Sequence, residues 1–537
     1  MTAPLDRASL LARLAAPQTW DLAIIGGGAT GLGVALDAVA RGFSVVLLEA
    51  EDFAKGTSSR ATKLVHGGVR YLAQGNVALV REALVERSTL LANAPHLAQR
   101  LPFVVPTYRR WEQPFYGIGL KLYDALAGAR GLGPTEWLSA RRTAELLPTV
   151  MRQGLAGGVR YWDGQFDDAR LAVALARTAA ARGALLLNHM PVVGLRREAG
   201  RVTGLAAQDG ESGRRFDVGA RCVINATGVW VDAVRDMDRD AGMPARAPMV
   251  APSQGVHLVV DRAFLPGTHA LMVPKTSDGR VLFAVPWLGK TLLGTTDTPR
   301  GDLALEPAPF TAEVDFILGE AARYLVRAPT RTDVRSVWVG LRPLVKPPGD
   351  EGNDAEGGEG RAHTKSLSRE HTVVVGRSGL VTVTGGKWTT YRAMAEDVLD
   401  RAMERGLLAR RPAGATTRLP LLGAAPGRPL GEPPGEHGYG SEADLLRSLP
   451  GATHWLWRDA ETGRGGLSEA MVRFAARHEM ARTVEDVLAR RCRLLFLDAR
   501  EAARQAAPVA ALLSEELGQT VGAEAFVELA ARYATVP

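Results

Sequence analysis

The sequence predicts an α/β protein with a parallel, doubly wound nucleotide-binding sheet, an antiparallel-sheet domain and a helical tail. Three observations carry that prediction. A buried strand over residues 22–25 runs into the turn Gly26-Gly27-Gly28-Ala29-Thr30-Gly31 and then into a helix. Between residues 257 and 295 the apolar runs become short and separate, as antiparallel strands do. Beyond a stretch dense in Pro and Gly at 411–440, the pattern is helical.

The spacing Gly26-x-Gly28-x-x-Gly31 is the dinucleotide fingerprint, and each glycine has its own task. Gly26 makes the tight turn, Gly28 lets the backbone approach a pyrophosphate, and Gly31 lets the helix lie close on the strand. The helix N-terminus offers unpaired N–H groups and positive dipole character to the phosphates. In a chain with 59 glycines such spacing can arise by chance, so context decides. Ala29, Leu32, Ala35, Leu36 and Val39 form one apolar helical face, Gly42 stops the helix, and residues 44–48 make a second buried strand. That strand ends in Glu49, about 20 residues beyond the glycines, where a carboxylate would hold a ribose hydroxyl. An adenine dinucleotide is expected here.

At 537 residues the chain can bury two or three domains' worth of core, and 46% hydrophobic with 23% charged residues is ordinary for a globular protein. No apolar run approaches the roughly 20 residues that span a bilayer. Nor does the start of the chain carry a long apolar stretch, so a cytoplasmic protein is expected. Two cysteines, Cys222 and Cys492, exclude a disulfide framework and a cysteine-based metal centre, and no metal is expected. A net charge of +7 suits an anionic substrate, an anionic membrane surface or nucleic acid. The basic residues are interspersed with acids along the chain, which argues against nucleic acid.

A helix is expected over 77–93, and another from the acidic start Asp167-Asp168 to about Gly183, followed by a strand at 184–187. Segments 192–195, 202–208 and 216–218 read as a meander. The buried strand 222–226 then delivers Thr227 and Gly228 beside the first glycine turn, since ligands gather at the carboxyl ends of such strands. Strands at 257–260, 271–273, 281–285 and 291–293 form the floor or wall of a substrate site, and 347–360 is a surface loop. The longest periodic segment of the tail is 467–491. The expected division is one two-domain unit over 18–410, a linker at 411–440 and a helical domain at 441–537. Within the unit, nucleotide segments fall at 18–75, 150–235 and 370–410, and substrate segments at 76–149 and 236–369.

The fingerprint does not choose among NAD, NADP and FAD. Two features favour FAD: the meander returns the chain to the cofactor at Thr227-Gly228, and a late strand, 381–384, enters the turn Gly385-Gly386-Lys387 before a helix. A helix N-terminus and an ammonium at the flavin pyrimidine edge would stabilise the anionic reduced ring. Lys387 is not a phosphate-loop lysine, because Val381 stands at the first glycine position and Trp388 follows it. His478-Glu479-Met480-Ala481-Arg482 lacks the second histidine of the zinc motif.

The run Gly56-Thr57-Ser58-Ser59-Arg60-Ala61-Thr62-Lys63-Leu64-Val65-His66-Gly67-Gly68-Val69-Arg70-Tyr71-Leu72 resembles the signature of FAD-dependent, quinone-linked glycerol-3-phosphate dehydrogenases. The resemblance continues in order through residues 166–171, 294–297, 340–344 and 385–391, and into the tail at 477–482. It implies a D-amino-acid-oxidase-like pair of domains, a Rossmann-like FAD domain and an antiparallel substrate domain, with a C-terminal helical domain. It also implies oxidation of sn-glycerol 3-phosphate to dihydroxyacetone phosphate, with electrons passed to a quinone.

A phosphomonoester dianion needs several cationic donors, and a guanidinium fork matches its oxygens. Arg70, Arg342 and Lys387 fall on the matching segments, with Tyr71 as a hydroxyl donor and Thr296 a further substrate contact. The reaction also needs a proton acceptor near neutral pKa, and His257 is the candidate by resemblance, beside Arg342 and Lys387. Besides Gly26, Gly28, Gly31 and Glu49, the resemblance puts Thr57, Ser58, Ser59, His66, Gly67, Val193, Thr227, Gly228, Gly386, Lys387 and Thr389 at FAD.

Residues 108–123 mix aromatic, aliphatic and basic side chains as interfacial segments do, which suits peripheral binding to the inner face of a cell membrane. An oligomer is compatible with the sequence. The nearest alternative is a glycerophosphate oxidase that passes electrons to oxygen and releases hydrogen peroxide. A more distant one is an amine or amino-acid oxidase of the same fold, which would want a carboxylate clamp rather than a multiply cationic site.

Overall fold

The computed structural model describes residues 5–68, 76–239, 247–346 and 370–537. The chain crosses repeatedly between two sheets. It opens on β1 (Thr19–Ile25) and β2 (Val45–Leu48), then leaves for β3 (Leu64–Val65), β4 (Ala98–Thr107), β5 (Glu136–Ser139) and β6 (Gly157–Phe166). It returns for β7 (Leu185–Leu187), β8 (Val192–Glu198), β9 (Arg201–Gln208) and β10 (Arg215–Asn225). The second sheet then takes β11 (Val250–Asp261), β12 (Ala270–Val273), β13 (Leu282–Trp287), β14 (Lys290–Gly294), β15 (Thr298–Pro299) and β16 (Val334–Val345). Finally β17 (His371–Val375) and β18 (Val381–Gly385) close the first sheet.

The first sheet runs β17-β18-β10-β1-β2-β7, with the meander β8-β9 attached to β10. Its central pairs are parallel: β18 with β10, β10 with β1, β1 with β2, and β2 with β7. Parallel strands need cover on both faces, hence their unbroken apolar runs. Alternation shows that cover directly. Leu22 and Ile24 of β1, with Val45 and Leu47 of β2, share a core with the helices Ala29–Ala40 and Tyr391–Glu404. Ala23, Ile25, Val46 and Leu48 face the opposite core, beneath the meander.

The second sheet is mainly antiparallel and is likewise covered twice. Val256, Leu258 and Val260 of β11 pack on the helix Thr311–Tyr324. Val259, Trp287 and Trp338 enter one core with Leu494 and Phe496 of the C-terminal helices. The C-terminal region therefore shares its core with the substrate sheet. Residues 157–166, expected in a nucleotide segment, form β6 of the second sheet, because they pair along their whole length with β4. The segments expected at 216–218 and 222–226 join into β10.

Residues 411–440 form a strap rather than a loose linker: Leu419, Leu421 and Leu430 are buried, and Thr416 Oγ1 donates to Asp37 Oδ1 at 2.9 Å. The periodic stretch 467–491 is broken. The helix Glu469–His478 ends, Met480 takes φ +56°, and the chain resumes as the π-helix Asp486–Arg491. The break turns Glu479 inward, where both its oxygens accept from Arg170 Nη1, at 2.7 and 2.8 Å. Helical periodicity could not reveal a stop set by a buried ion pair.

Candidate active site

Three strand ends of the first sheet converge in register. Ile25 of β1 lies beside Asn225 of β10, which lies beside Thr382 of β18. Beyond them come the turns at Gly26–Gly28, Ala226–Gly228 and Gly385–Lys387. Two glycines of the first turn are dictated by close approach. A Cβ on Gly31 would stand 2.0 Å from the Gly26 carbonyl oxygen, and Gly26, at φ +107°, would meet the Ala226 carbonyl oxygen at 2.7 Å. Gly28 differs, because a Cβ there would meet only Ser58 Oγ, at 3.1 Å.

Around these turns the burial pattern changes. Gly28, Ala29, Thr30, Gly56, Thr57, Ser58, Thr227, Gly228 and the run Gly385–Trp388 are all half-buried, although the strands leading to them are sealed. They mark the edge of a groove that follows the carboxyl ends of the sheet. Ser58 Oγ accepts from Ala29 N–H at 2.9 Å, at the helix N-terminus where a phosphate would sit. Glu49, at the end of β2, accepts from Gly27 N–H at 2.5 Å and Glu51 N–H at 2.9 Å, and burial pushes its carboxyl pKa up. This donor set fits an adenine dinucleotide. In that fit the fingerprint turn would accept the diphosphate, and Glu49 would stand at the ribose position.

The other wall belongs to β11, β14 and β16. Arg342, on β16, donates through Nη1 to the Gln254 carbonyl at 3.2 Å and through Nη2 to the Thr296 carbonyl at 2.9 Å, with Asp297 Oδ1 at 3.4 Å. Thr57 Oγ1 donates to the Leu341 carbonyl at 2.5 Å, which joins this wall to the nucleotide turn. His257, on β11, stacks on Trp338 with centroids 4.1 Å apart, and its Nε2 lies 2.9 Å from Thr62 Oγ1. Burial first, then the charges of Lys63 and Arg342, hold its imidazole well below the ordinary histidine value. It is thus neutral, the form that accepts a proton.

The structure redirects some of the residues expected from sequence. Thr296 is buried, its hydroxyl donating to Glu313 Oε1 at 2.8 Å and accepting from Val256 N–H at 3.0 Å, so it turns away from the groove. Its half-buried neighbour Thr295 carries the hydroxyl beside Arg342, at 3.4 Å from Nη2. Gly67 is packed rather than open, since a Cβ would strike Tyr123 Oη at 2.3 Å. Val193 sits exposed on a bulge of β8, three residues past Met190, whose N–H donates to the Glu49 carbonyl at 2.7 Å. His66 is half-buried, and its carbonyl accepts from Thr389 Oγ1 at 3.4 Å. The Ser59 carbonyl accepts from Lys63 Nζ. Lys387 precedes the 3₁₀ turn Trp388–Thr390 that opens the helix Tyr391–Glu404. Gly386, at φ +78°, packs against Met394. Arg70 and Tyr71, and the loop expected at 347–360, lie outside the described residues.

Residues 21–392 match the FAD-dependent oxidoreductase family model, and 436–522 match the C-terminal domain of alpha-glycerophosphate oxidase. A mitochondrial glycerol-3-phosphate dehydrogenase of Arabidopsis thaliana is 42% identical over 550 residues, covering 95% of this chain and 84% of that one. Its Homo sapiens counterpart is 40% identical over 551 residues, covering 96% and 73%. The chain is a member of the FAD-dependent glycerol-3-phosphate dehydrogenase family.

The glycerol-3-phosphate dehydrogenase of Bacillus halodurans, solved with FAD, superposes with a TM-score of 0.76 at 28% identity, over 100% of this chain and 99% of that one. An L-alpha-glycerophosphate oxidase of Mycoplasma pneumoniae shares the fold at 16% identity, with a TM-score of 0.54 over 75% of this chain and 99% of that one. FAD is accordingly the dinucleotide of the groove. As a member of the family, the chain carries the two-domain oxidoreductase fold with its C-terminal helices.

Sequence reasoning passed over Thr62, Lys63, Trp338 and Gly255, and gave Thr295, inside the run 294–297, no distinct role. A Cβ on Gly255 would come within 2.4 Å of Arg342 Nη2. Thr62 and Lys63 stand inside the signature run, so their place in that run was the available signal. Nothing local marked Trp338 and Gly255. Among the described residues, Asp52, His189 and Asp486 lie close enough to hold a metal ion. Arg491 Nη2 donates to Asp52 Oδ1 at 2.9 Å and Arg490 Nη2 to Asp486 Oδ1 at 2.8 Å, so guanidinium groups supply the positive charge there.

Proposed function

We propose that this protein oxidises sn-glycerol 3-phosphate to dihydroxyacetone phosphate and passes the electrons to a quinone at a membrane surface. One observation carries the reading: a neutral, buried His257 and the Arg342 guanidinium share a wall that faces the FAD turn. FAD supplies the two-electron acceptor for the C2 hydride. His257 takes the C2 hydroxyl proton as hydride leaves C2, because its neutral resting form offers a nitrogen lone pair. Arg342, with Lys387 and Arg70, holds the phosphate dianion, and the extended Gln254 and Thr296 carbonyls keep the Arg342 fork oriented.

The deciding experiment is anaerobic titration of the yellow holoprotein with glycerol 3-phosphate, followed at the oxidised flavin band. Stoichiometric bleaching supports the reading, and a band indifferent to glycerol 3-phosphate overturns it. The acceptor is then decided by an oxygen electrode against an added ubiquinone analogue. Rapid oxygen consumption without quinone would favour the oxidase alternative.

Membrane contact is assigned to the helix Glu112–Ala127. Trp111, just before it, with Phe115, Ile118 and Leu122, follow a spacing of four, three and four residues and are 53–66% exposed. Arg109, Arg110, Lys121 and Arg130 are exposed on the same segment. An apolar stripe with basic flanks suits an anionic lipid surface. No described helix is long and apolar enough to cross a membrane.

A further inference from the structure

His257 is 2% exposed, pressed between the Trp338 ring and Gly294, where a Cβ would come within 2.5 Å of its Cδ2. Among the described residues, the side chain that bonds its ring is Thr62, whose Oγ1 lies 2.9 Å from Nε2. Thr62 itself is half-buried.

Both chain neighbours of Thr62 are anchored to one buried carboxylate. Asp168 Oδ2 accepts from Ala61 N–H at 3.0 Å and from Lys63 Nζ at 2.7 Å. Lys63 holds φ +65°, a conformation that L side chains rarely adopt, and its Nζ also donates to the Ser59 carbonyl at 2.7 Å. The other oxygen of Asp168 accepts from Arg493 Nη2 at 3.1 Å, and Arg493 Nη2 reaches the same Ser59 carbonyl at 2.7 Å. Arg493 comes from the C-terminal helices, at a left-handed break of φ +67° before Leu494–Leu497. Above this cluster the Lys63 ammonium lies 4.6 Å from the ring of Trp338, the same ring that His257 stacks on, and 5.4 Å from that of Phe496. Burial pushes the Lys63 ammonium down to about 7, with Asp168 opposing the shift.

We propose that Thr62 is a positioning residue for His257, and that the C-terminal domain holds it there through Arg493 and Asp168. The proposal rests on the reading of His257 as the proton acceptor. A neutral imidazole has one donor and one acceptor nitrogen, and a hydroxyl, able to play either part, fixes the angle of the ring by bonding one of them. The Thr62 hydroxyl bonds Nε2, while buried Asp168 holds the Ala61 backbone N–H on one side of it and the Lys63 ammonium on the other. The C-terminal domain then completes the active site from 434 positions away. The ionised forms of Lys63 and Arg342 face His257, and each disfavours its protonation.

The test is anaerobic stopped-flow flavin reduction by glycerol 3-phosphate in the holoenzyme, measured from neutral pH down to the acid limit of its stability. Thr62→Val should slow reduction about 10- to 100-fold, with the substrate dissociation constant changed less than about threefold and the acid limb of the profile displaced. Thr62→Ser should restore the rate to within about threefold of wild type. In a His257→Gln background, Thr62→Val should cost less than about twofold, because the two act as a unit. Arg493→Lys should slow reduction with the same displaced limb.

A wild-type rate and profile in Thr62→Val, or an equal loss in both backgrounds, overturns the positioning role. If Arg493→Lys behaves as wild type while Thr62→Val is slow, the C-terminal half of the proposal fails. If His257→Gln reduces flavin at the wild-type rate, the acceptor reading itself fails, and this inference goes with it. Flavin content is measured throughout. Should the valine variant lose flavin, the Thr62→Ala and Thr62→Ser pair supplies the same contrast.

Discussion

Arg170 and Glu479 form a two-bond ion pair, 2.7 and 2.8 Å, across the seam between the nucleotide domain and the C-terminal helices. Both side chains are buried, and the Arg170 guanidinium also lies 4.6 Å from the Tyr439 ring centre. Removing one partner leaves an unpaired buried charge. Glu479→Ala should lower the unfolding free energy by about 3–5 kcal/mol, measured by urea denaturation of the holoprotein. The double variant Arg170→Met/Glu479→Leu should recover much of that loss, since an apolar pair needs no charge compensation.

Gly255 leaves room for the Arg342 fork. A methyl there would come within 2.4 Å of Arg342 Nη2 and 2.6 Å of Thr295 Oγ1. Gly255→Ala should therefore displace the guanidinium. The KM for glycerol 3-phosphate should rise about 10- to 100-fold, with a much smaller change in kcat. Steady-state rates with a soluble dye acceptor check this split.

Glu306 makes acid sensitivity local. It accepts from Arg60 at 2.6 Å and from Tyr533 Oη at 2.9 Å, with Lys55 Nζ at 3.0 Å. Against the cost of burial, these cations hold its pKa down to about 2 from an ordinary 4.5. A depressed carboxylate stabilises the fold fully above its unfolded value and loses that contribution as pH falls through the folded value. About 3 kcal/mol should thus vanish between about pH 4.5 and 2. Glu306→Gln should flatten that portion of the stability–pH curve, read by chemical denaturation at each pH.

Variants of the exposed stripe on the helix Glu112–Ala127 should separate membrane binding from chemistry. Phe115→Glu/Ile118→Glu should abolish co-sedimentation with vesicles containing anionic lipid, while anaerobic flavin reduction by glycerol 3-phosphate stays unchanged. Raised salt should weaken vesicle binding of the wild-type protein, because Arg109, Arg110 and Lys121 contribute through a screened field.

Much of the scaffold could be read from the chain because its signals are local. The helix expected over 77–93 forms as Val77–Asn93, and Asp167 caps the helix Asp168–Ala181 by accepting from Arg170 N–H. The strands 22–25 and 44–48 pair in parallel beneath the fingerprint turn. At the site the limits were equally physical. Thr295 and Thr296 are adjacent in sequence, and only the packing of the connection between β14 and β15 decides that the first hydroxyl meets Arg342 while the second meets Glu313.

The amino-acid sequence alone determined the glycine turn, the parallel strands that carry it, the change to antiparallel texture and the family signature. Those features depend on steric and hydrophobic periodicities spanning a few residues, which any stretch of chain displays by itself. Tertiary structure decided that β6 joins the substrate sheet, that Glu479 ends a helix, and that Arg493 reaches the Ser59 carbonyl beside the histidine loop. These are partnerships between distant segments. Burial of each charge and pairing of each strand edge depend on what the rest of the fold delivers opposite them, and no local pattern records that.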